Sequence, residues 1–254
     1  MNFNFTYKDY ILLIIKMMKI SKINTFKSHA ESNLQNGYIL RHDVDIDLHC
    51  AYKMASIESE MGISSTYFIL STSDLYNINS KKNRQLIKKM DKDGFEIGLH
   101  FDPTIYGDVS DEQLYMHVLN ETKIIEDIIG KKIESISLHN PSVHNKYPIF
   151  INYNNAYDKR FFSEENYISD SCKSFRNKDI YKFIKNGDTN VLQMVLHPIH
   201  FSDSGESYYS SFLDIICNKI DEMDQIMEVN SNYLEGLRIT SLTNIIKSKK
   251  EIYV

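Results

Sequence analysis

Tryptophan is absent from this 254-residue sequence, and cysteine, proline and glycine are sparse. The three cysteines, Cys50, Cys172 and Cys217, are too far apart to form a close-spaced metal or redox pair. A small, odd number of cysteines is typical of free thiols in a reducing compartment, so we expect a cytoplasmic protein. No proline- or glycine-rich linker interrupts the chain, which favours a single domain over residues 1–254.

The sequence also lacks a long hydrophobic run and an excess of basic charge. The most apolar segment near its start, "YILLIIKMMKI", contains Lys16 and Lys19, is too short to span a bilayer and has no small-residue cleavage site. We therefore expect neither an integral membrane segment nor a signal peptide. The net charge of −5 argues against a nucleic-acid-binding protein, which usually has a basic face. The oligomeric state is left open.

The sequence contains alternating strand and helix patterns. Apolar residues at helical spacing predict an amphipathic helix from Tyr7 to about Ile20. The region after Glu206 is mostly helical in pattern, with one short strand in "LEGLRIT". Helices that end near Gly62 and Gly94 separate the first three predicted strands. The six predicted strands are "GYIL", "STYFIL", "FEIGLH", "IESISLH", "NYISDS" and "NVLQMVLH".

This alternation predicts a parallel sheet with helices outside it. Such a sheet either closes into a (β/α) barrel or stays open as a doubly wound sheet. No glycine-rich fingerprint follows the first strand, which weakens the case for a nucleotide-binding Rossmann domain.

Acidic residues and histidines follow nearly all of the predicted strands. Taken singly, such a residue is more often a turn former, a helix cap or a structural histidine than a ligand. Because the C-terminal ends of parallel strands share one face, the set as a whole predicts a site there. Zinc accepts such a mixture of imidazole and carboxylate. The residues are Asp43, Asp45, His100, Asp102, His139, Asp170, His197 and His200.

The segments "LRHDVD", "STYFIL", "GFEIGLHFD", "SLHNPS", "ISDS" and "LHP" resemble, in this order, the motifs of polysaccharide deacetylases, the NodB-homology family. The first motif, Arg-His-Asp-x-Asp, resembles that of a divergent branch. The match covers about residues 37–201. The resemblance implies a distorted (β/α) barrel, here with an added N-terminal helix and a helical C-terminal region. It also implies a hydrolase that uses a divalent metal, commonly zinc, to remove an N- or O-acyl group (acetyl or formyl) from a sugar, a glycan precursor or a sugar nucleotide.

The resemblance makes Asp43 the general base and Asp45 a metal ligand. Residues i and i+2 of a strand point the same way, which fits this register, although the register with Asp43 as the ligand stays open. His100 corresponds to the first metal histidine of the family. Thr104 stands where the family has a second histidine.

His139 stands where the family has an arginine that orients the base, and we infer that His139 completes the metal triad, with Asp102 the next candidate. His197 of "VLHP" occupies the place of the general acid, and Asp170 either fixes its tautomer or caps a turn. Without tryptophan, Phe175 is the candidate for the family's aromatic wall. The expected substrate contacts are Arg41, Asp102, Asp170, Arg176 and His200, with the aromatic residues Tyr147, Phe150 and Tyr157, since arginine pairs with carboxylate or phosphate.

Other functions stay open. One is a glycosyltransferase whose Asp-x-Asp binds a metal–nucleotide-sugar complex, although only one helix and one strand precede Asp43. Another is a non-catalytic carbohydrate-binding protein on the same barrel. A third is a hydrolase of a non-sugar amide.

Overall fold

The computed structural model describes residues 3–237, 241–242 and 244–246. The chain forms two compact units, which divide after Gly205. In the described part of the chain, all strands lie in the first unit, and the second unit is helical. The organisation as one deacetylase-like domain stays a prediction.

The strands of the first unit form one parallel sheet. Its order is β6-β5-β4-β3-β2-β8-β7, and β1 pairs with the start of β2. The sheet curves into a half-barrel with helices around it, which confirms the expected distorted (β/α) barrel. Within the described residues the strands are β1 (Ile23–Asn24), β2 (Gly37–Val44), β3 (Thr66–Leu70), β4 (Glu96–Phe101), β5 (Ser135–Leu138), β6 (Asn154–Asn155), β7 (Tyr167–Ser169) and β8 (Val191–Leu196).

The helices follow the predicted pattern, with three short additions, α2, α6 and α7. In the described residues of the first unit they are α1 (Tyr7–Ile20), α2 (Phe26–Ser32), α3 (Leu48–Glu60), α4 (Lys81–Lys92), α5 (Asp111–Ile129), α6 (Pro141–His144) and α7 (Ile180–Ile184). Those of the second unit are α8 (Tyr208–Met227) and α9 (Ser231–Leu237). No helix within these described stretches combines the length and apolar content that crossing a bilayer requires.

The strand expected in "LEGLRIT" is wrong where the structure describes it. Residues 234–237 belong to α9, and residues 238–240 lie outside the described residues. Leu234 and Leu237 are three residues apart, a spacing that suits a helix better than the two-residue period of a strand.

The first helix, α1, is an integral part of the barrel wall. It begins with a capping box formed by Thr6 and Asp9. One side of it buries Leu13, Ile14 and Met17 completely against apolar residues of β2 and β8. Burial of each such side chain contributes about 1.5–3 kcal/mol.

The central strand, β2, extends four residues beyond the predicted "GYIL" and is buried along its whole length. It pairs with β3 on one side and β8 on the other, so Arg41, His42 and Asp43 continue the ladder. Because side chains alternate along a strand, Arg41 and Asp43 face the inside of the half-barrel and His42 faces the helices outside.

Candidate metal centre and active site

The inner face of β2 carries a buried ion pair. Arg41 Nε donates to Asp43 Oδ1 at 2.8 Å, and Arg41 Nη2 donates to Asp43 Oδ2 at 2.7 Å. Arg41 also donates to Gln193 Oε1 at 3.1 Å, to Tyr157 Oη at 3.1 Å and to the hydroxyl of Ser137. This bidentate geometry fixes the orientation of the Asp43 carboxylate.

The position of Arg41 corrects one sequence expectation. Arg41 was expected to contact substrate, but it is completely buried and its donors are used within the protein. It orients the Asp43 carboxylate, which is the role that the resemblance gave to an arginine at the position of His139. Burial acts to raise the pKa of Asp43, but the charge of Arg41, followed by that of His100, brings this pKa below its ordinary value. Asp43 is therefore an oriented carboxylate, available as a base.

Asp45, His100 and His139 converge at the C-terminal ends of β2, β4 and β5. Asp45 Oδ1 lies 3.0 Å from His100 Nε2 and 3.5 Å from His139 Nδ1. The two imidazole rings are nearly perpendicular, with an interplanar angle of 89°, and His139 Nδ1 lies 3.2 Å from His100 Nε2. One ligand atom from each of the three residues lies within 4.8 Å of the others, which is compatible with a shared metal ion.

The donor set fits a divalent cation. Asp45 Oδ1 is buried and has no hydrogen-bond partner, although two histidine nitrogens lie near it. An unpartnered buried carboxylate oxygen is costly unless an ion satisfies it. One carboxylate and two imidazoles, with room for a further ligand, are a set typical of catalytic zinc.

Neighbouring side chains hold these ligands in place. Ser137 Oγ lies 3.1 Å from His100 Nδ1, which leaves Nε2 directed at Asp45. The Asn140 amide nitrogen lies 2.8 Å from His139 Nε2. Burial acts to raise the pKa of Asp45, but the adjacent imidazoles of His100 and His139 hold it well below its ordinary value. Burial opposes charging of His139, yet the neighbouring Asp45 carboxylate raises the pKa of this ring.

Asp170 joins two histidines beside this cluster. Its Oδ1 lies 2.5 Å from His197 Nδ1 and its Oδ2 lies 2.8 Å from His200 Nδ1. Burial acts to lower the pKa of His197, but the charge of Asp170 raises it to about 9. Burial acts to raise the pKa of Asp170, and the charges of His197 and His200 nevertheless lower it. His197 Nε2 points towards the metal cluster and lies 3.8 Å from Asp45 Oδ2.

This arrangement decides between the two roles considered for Asp170. It fixes the His197 ring, as one of those alternatives had it, and it also accepts the His197 main-chain N–H at 3.1 Å. Asp170 and His200 are buried behind His197, so they do not take the substrate-contact roles expected of them.

Asp102 also differs from its expected role. It caps a short 3-10 turn, accepting from Thr104 N at 2.9 Å and from Thr104 Oγ1 at 2.6 Å. It is not part of the metal cluster and does not line the adjacent cavity. Thr104 is used in the same cap, so His139 is the third candidate ligand.

A cavity of about 520 Å³ opens from the cluster. Asp43, Asp45 and His197 lie in its lining, and so does the expected Arg176. Phe150 does not line it, because it packs in the core against Phe101 with ring centroids 5.5 Å apart. The aromatic residues of the lining are Tyr147, Tyr157, Phe162, Tyr167 and Phe175.

Two functional contacts were missed at the level of sequence. Ser137 touches both Arg41 and His100, and Gln193 accepts from Arg41. Their signal was a polar residue inside an otherwise apolar strand pattern, in "SISL" and "VLQMVL". Both residues are completely buried, where a polar side chain requires a partner.

Comparisons with known proteins gave structural matches only. No protein-family model and no curated protein matches the chain. It is similar to the CE4 domain of a multidomain xylanase from the hindgut metagenome of Trinervitermes trinervoides, with 14% identity, a TM-score of 0.45, and 73% of this chain and 85% of that chain covered. It is also similar to a peptidoglycan deacetylase of Bacillus subtilis, with 15% identity, a TM-score of 0.45, and 78% and 98% covered.

A third match is a CE4 family pseudoenzyme from Bacillus anthracis, with 12% identity and a TM-score of 0.43. The match covers 71% of this chain and 60% of that chain, so this chain spans less than two thirds of its length. The first and third of these proteins are described as CE4 proteins, and CE4 is the polysaccharide deacetylase family.

Proposed function

We propose that this protein is a metal-dependent hydrolase that removes an N- or O-acyl group from a carbohydrate. The observation that supports this most strongly is the convergence of three elements at one cavity. They are a candidate metal triad, a carboxylate oriented by Arg41 and a histidine paired with Asp170. A hydrolase of this kind needs an electrophilic centre, a base and an acid.

The residues that would hold the ion are Asp45, His100 and His139, and zinc suits their chemistry. A divalent ion bound there supplies Lewis acidity, which polarises the acyl oxygen and makes water a stronger nucleophile near neutral pH. Asp43 accepts a proton from the attacking water, with Arg41 holding the carboxylate in place. His197, protonated and fixed by Asp170, donates a proton to the departing amine or alcohol. General acid and general base steps of this kind each increase the reaction rate about 10²–10⁴-fold.

The glycosyltransferase alternative needs both carboxylates of Asp-x-Asp to engage one metal–nucleotide complex. Asp43 is instead paired with Arg41 through both of its oxygens, and Asp45 alone faces the two histidines. This geometry favours the hydrolase.

We further propose a cytoplasmic location, because the three cysteines are free thiols in the structure. A glycan precursor is a more suitable substrate there than a finished wall polymer. Secretion of the protein from intact cells would contradict this part of the proposal.

The function is tested by loading purified protein with zinc and measuring acetate or formate released from acylated sugars and oligosaccharides. We expect release by the wild-type protein and loss of release in Asp43→Asn with its metal retained. If the protein binds one ion and binds these acylated sugars or oligosaccharides but releases no acyl group from them, it is a carbohydrate-binding protein on this fold.

A further inference from the structure

We infer that the cavity binds a sugar that carries an oxyanion, either a phosphate or a carboxylate, and that Arg176 pairs with this group. The inference rests on the proposed function for the acyl group at the reacting end of the substrate. The anion site itself rests on the observations that follow.

Arg176 differs from the other arginines that the structure describes. Arg41 pairs with Asp43 at 2.7 Å, Arg84 pairs with Asp127 at 2.7 Å and Arg160 pairs with Asp158 at 3.0 Å. The guanidinium of Arg176 makes one hydrogen bond, from Nη2 to Ser171 Oγ at 3.1 Å. Among the described carboxylates none forms an ion pair with it, so its remaining donors are available to a ligand.

The guanidinium also lies in the right cavity. Arg176 lines the same cavity as Asp43, Asp45 and His197. Arg176 belongs to the loop that follows β7, the strand at one edge of the sheet. His139 follows β5, which lies near the other edge. A substrate whose acyl group reaches the metal cluster therefore presents another part of itself to Arg176.

The loop is anchored on both sides of Arg176. Phe175 stacks on Phe5, with ring centroids 5.4 Å apart and an interplanar angle of 18°. Lys178 Nζ donates to the main-chain oxygen of Glu164 at 2.8 Å and to that of Tyr167 at 3.2 Å. These contacts hold a segment in which Arg176 has a φ of 50°, a left-handed conformation that is uncommon for arginine, and Asn177 has a φ of 65°. A cation placed in advance loses less freedom when it binds an anion.

The charge of the lining supports an anionic ligand. Its carboxylates are Asp43, which Arg41 neutralises, Asp45, which faces the candidate cation, and Glu164. Arg176 and Lys178 add two permanent cations. With a divalent ion bound, the cavity is net positive, although the whole chain has a net charge of −5. A planar guanidinium binds phosphate and carboxylate through two parallel hydrogen bonds.

The test compares sugars that differ only by the anion. Calorimetry of the zinc-loaded protein gives dissociation constants for glucose, glucose 1-phosphate and glucuronic acid. We expect at least one of the two anionic sugars to bind about tenfold or more tightly than glucose. In Arg176→Gln this preference falls to within about threefold, whereas the matched variant Arg160→Gln keeps it.

The two anionic arms identify the oxyanion as phosphate or carboxylate. Equal binding of all three sugars overturns the inference, and so does a preference that survives in Arg176→Gln, because a group other than Arg176 would then bind the anion. Acyl release is measured in parallel with N-acetylglucosamine and its 1-phosphate. If the preference depends on Arg176 but no acyl group is released, the result supports the anion site and counts against the hydrolase. Acyl release without a preference for the anionic sugars supports the hydrolase and counts against the anion site.

Discussion

Each face of β2 buries a pair of acidic and basic side chains. The two faces differ in whether every carboxylate oxygen there has a hydrogen-bond partner. On the outer face, Glu58 of α3 lies 2.8 Å from His42 Nε2. It also accepts from Ser65 Oγ at 2.6 Å, from Tyr67 Oη at 2.9 Å and from the hydroxyl of Tyr10. Both oxygens of Glu58 are thus satisfied inside the protein, and no solvent reaches them.

On the inner face, Arg41 donates hydrogen bonds to both oxygens of Asp43, but the next carboxylate on that side, Asp45, is not fully hydrogen-bonded. Asp45 Oδ1 has no hydrogen-bond partner and lies at the end of an open cavity. Alternation along one strand thus separates a closed network, which stabilises the fold, from an incomplete one, which can bind an ion. Mutations on the two faces should therefore affect different properties of the protein.

The largest expected effect is on catalysis from the inner face. In Asp43→Asn, acyl release should fall by about 10²–10⁴, because the base is lost. The zinc content should stay at one ion per chain, since Asp43 is not among the proposed ligands. Elemental analysis and steady-state kinetics of the folded fraction measure both quantities. Loss of the ion in this variant would instead support the register in which Asp43 is the ligand.

The matching change on the outer face should reduce stability. Glu58→Gln removes the carboxylate from a buried network and should lower the free energy of unfolding by about 3–5 kcal/mol. Zinc content and kcat/KM of the folded protein should remain close to wild type. Denaturant unfolding provides the measurement, and Glu134→Gln provides the control, because its partner Lys27 is on the surface and such pairs contribute about 1 kcal/mol or less. A large loss of activity in folded Glu58→Gln would contradict the separation of the two faces.

The pairing of Asp170 with His197 should appear in the pH dependence of acyl release. The pKa of His197 is raised from 6.5 to about 9, so the protonated acid, and with it kcat/KM, should decline only as the pH rises through about 9. In Asp170→Asn this decline should move towards pH 6.5, the ordinary histidine value.

The same pairing stabilises the folded state. The contribution is complete below about pH 6.5 and is lost as the pH rises through about 9, since the folded-state pKa is the higher one. Unfolding measured across this window in both proteins should show the difference. Identical pH–rate profiles for wild type and variant would exclude His197 as an acid tuned by Asp170.

The smallest expected effect concerns one donor of the closed network. Tyr10→Phe removes a single hydrogen bond to Glu58 and should lower the free energy of unfolding by about 1 kcal/mol, without changing metal binding. Thermal unfolding of the two proteins side by side measures it. A loss as large as that of Glu58→Gln would mean that the network depends on Tyr10 more than its number of contacts suggests.

The sequence was informative about positions at strand ends. Asp45, His100, His139 and His197 come together because parallel strands bring their C-terminal ends to one edge, and the order of strands and helices already implied this. The opposite orientation of His42 also followed from the period of a strand.

Contacts across the barrel were not predictable in this way. Arg41 could be recognised as a cation next to Asp43, but its burial depends on Ser137 and Gln193, which come from strands far away in the sequence. The short β6, at Asn154–Asn155, has too few residues to show a period. Asp102 follows a strand as the metal ligands do, and only the three-dimensional structure shows that it caps its own turn.

The central claim is that Asp45, His100 and His139 share one divalent ion. An anomalous-difference map from crystals of zinc-loaded protein tests it most directly. We predict a single strong peak about 2.0–2.2 Å from Asp45 Oδ1, His100 Nε2 and His139 Nδ1. A map with no peak there, or with its peak between Asp170 and His200 instead, would contradict this account.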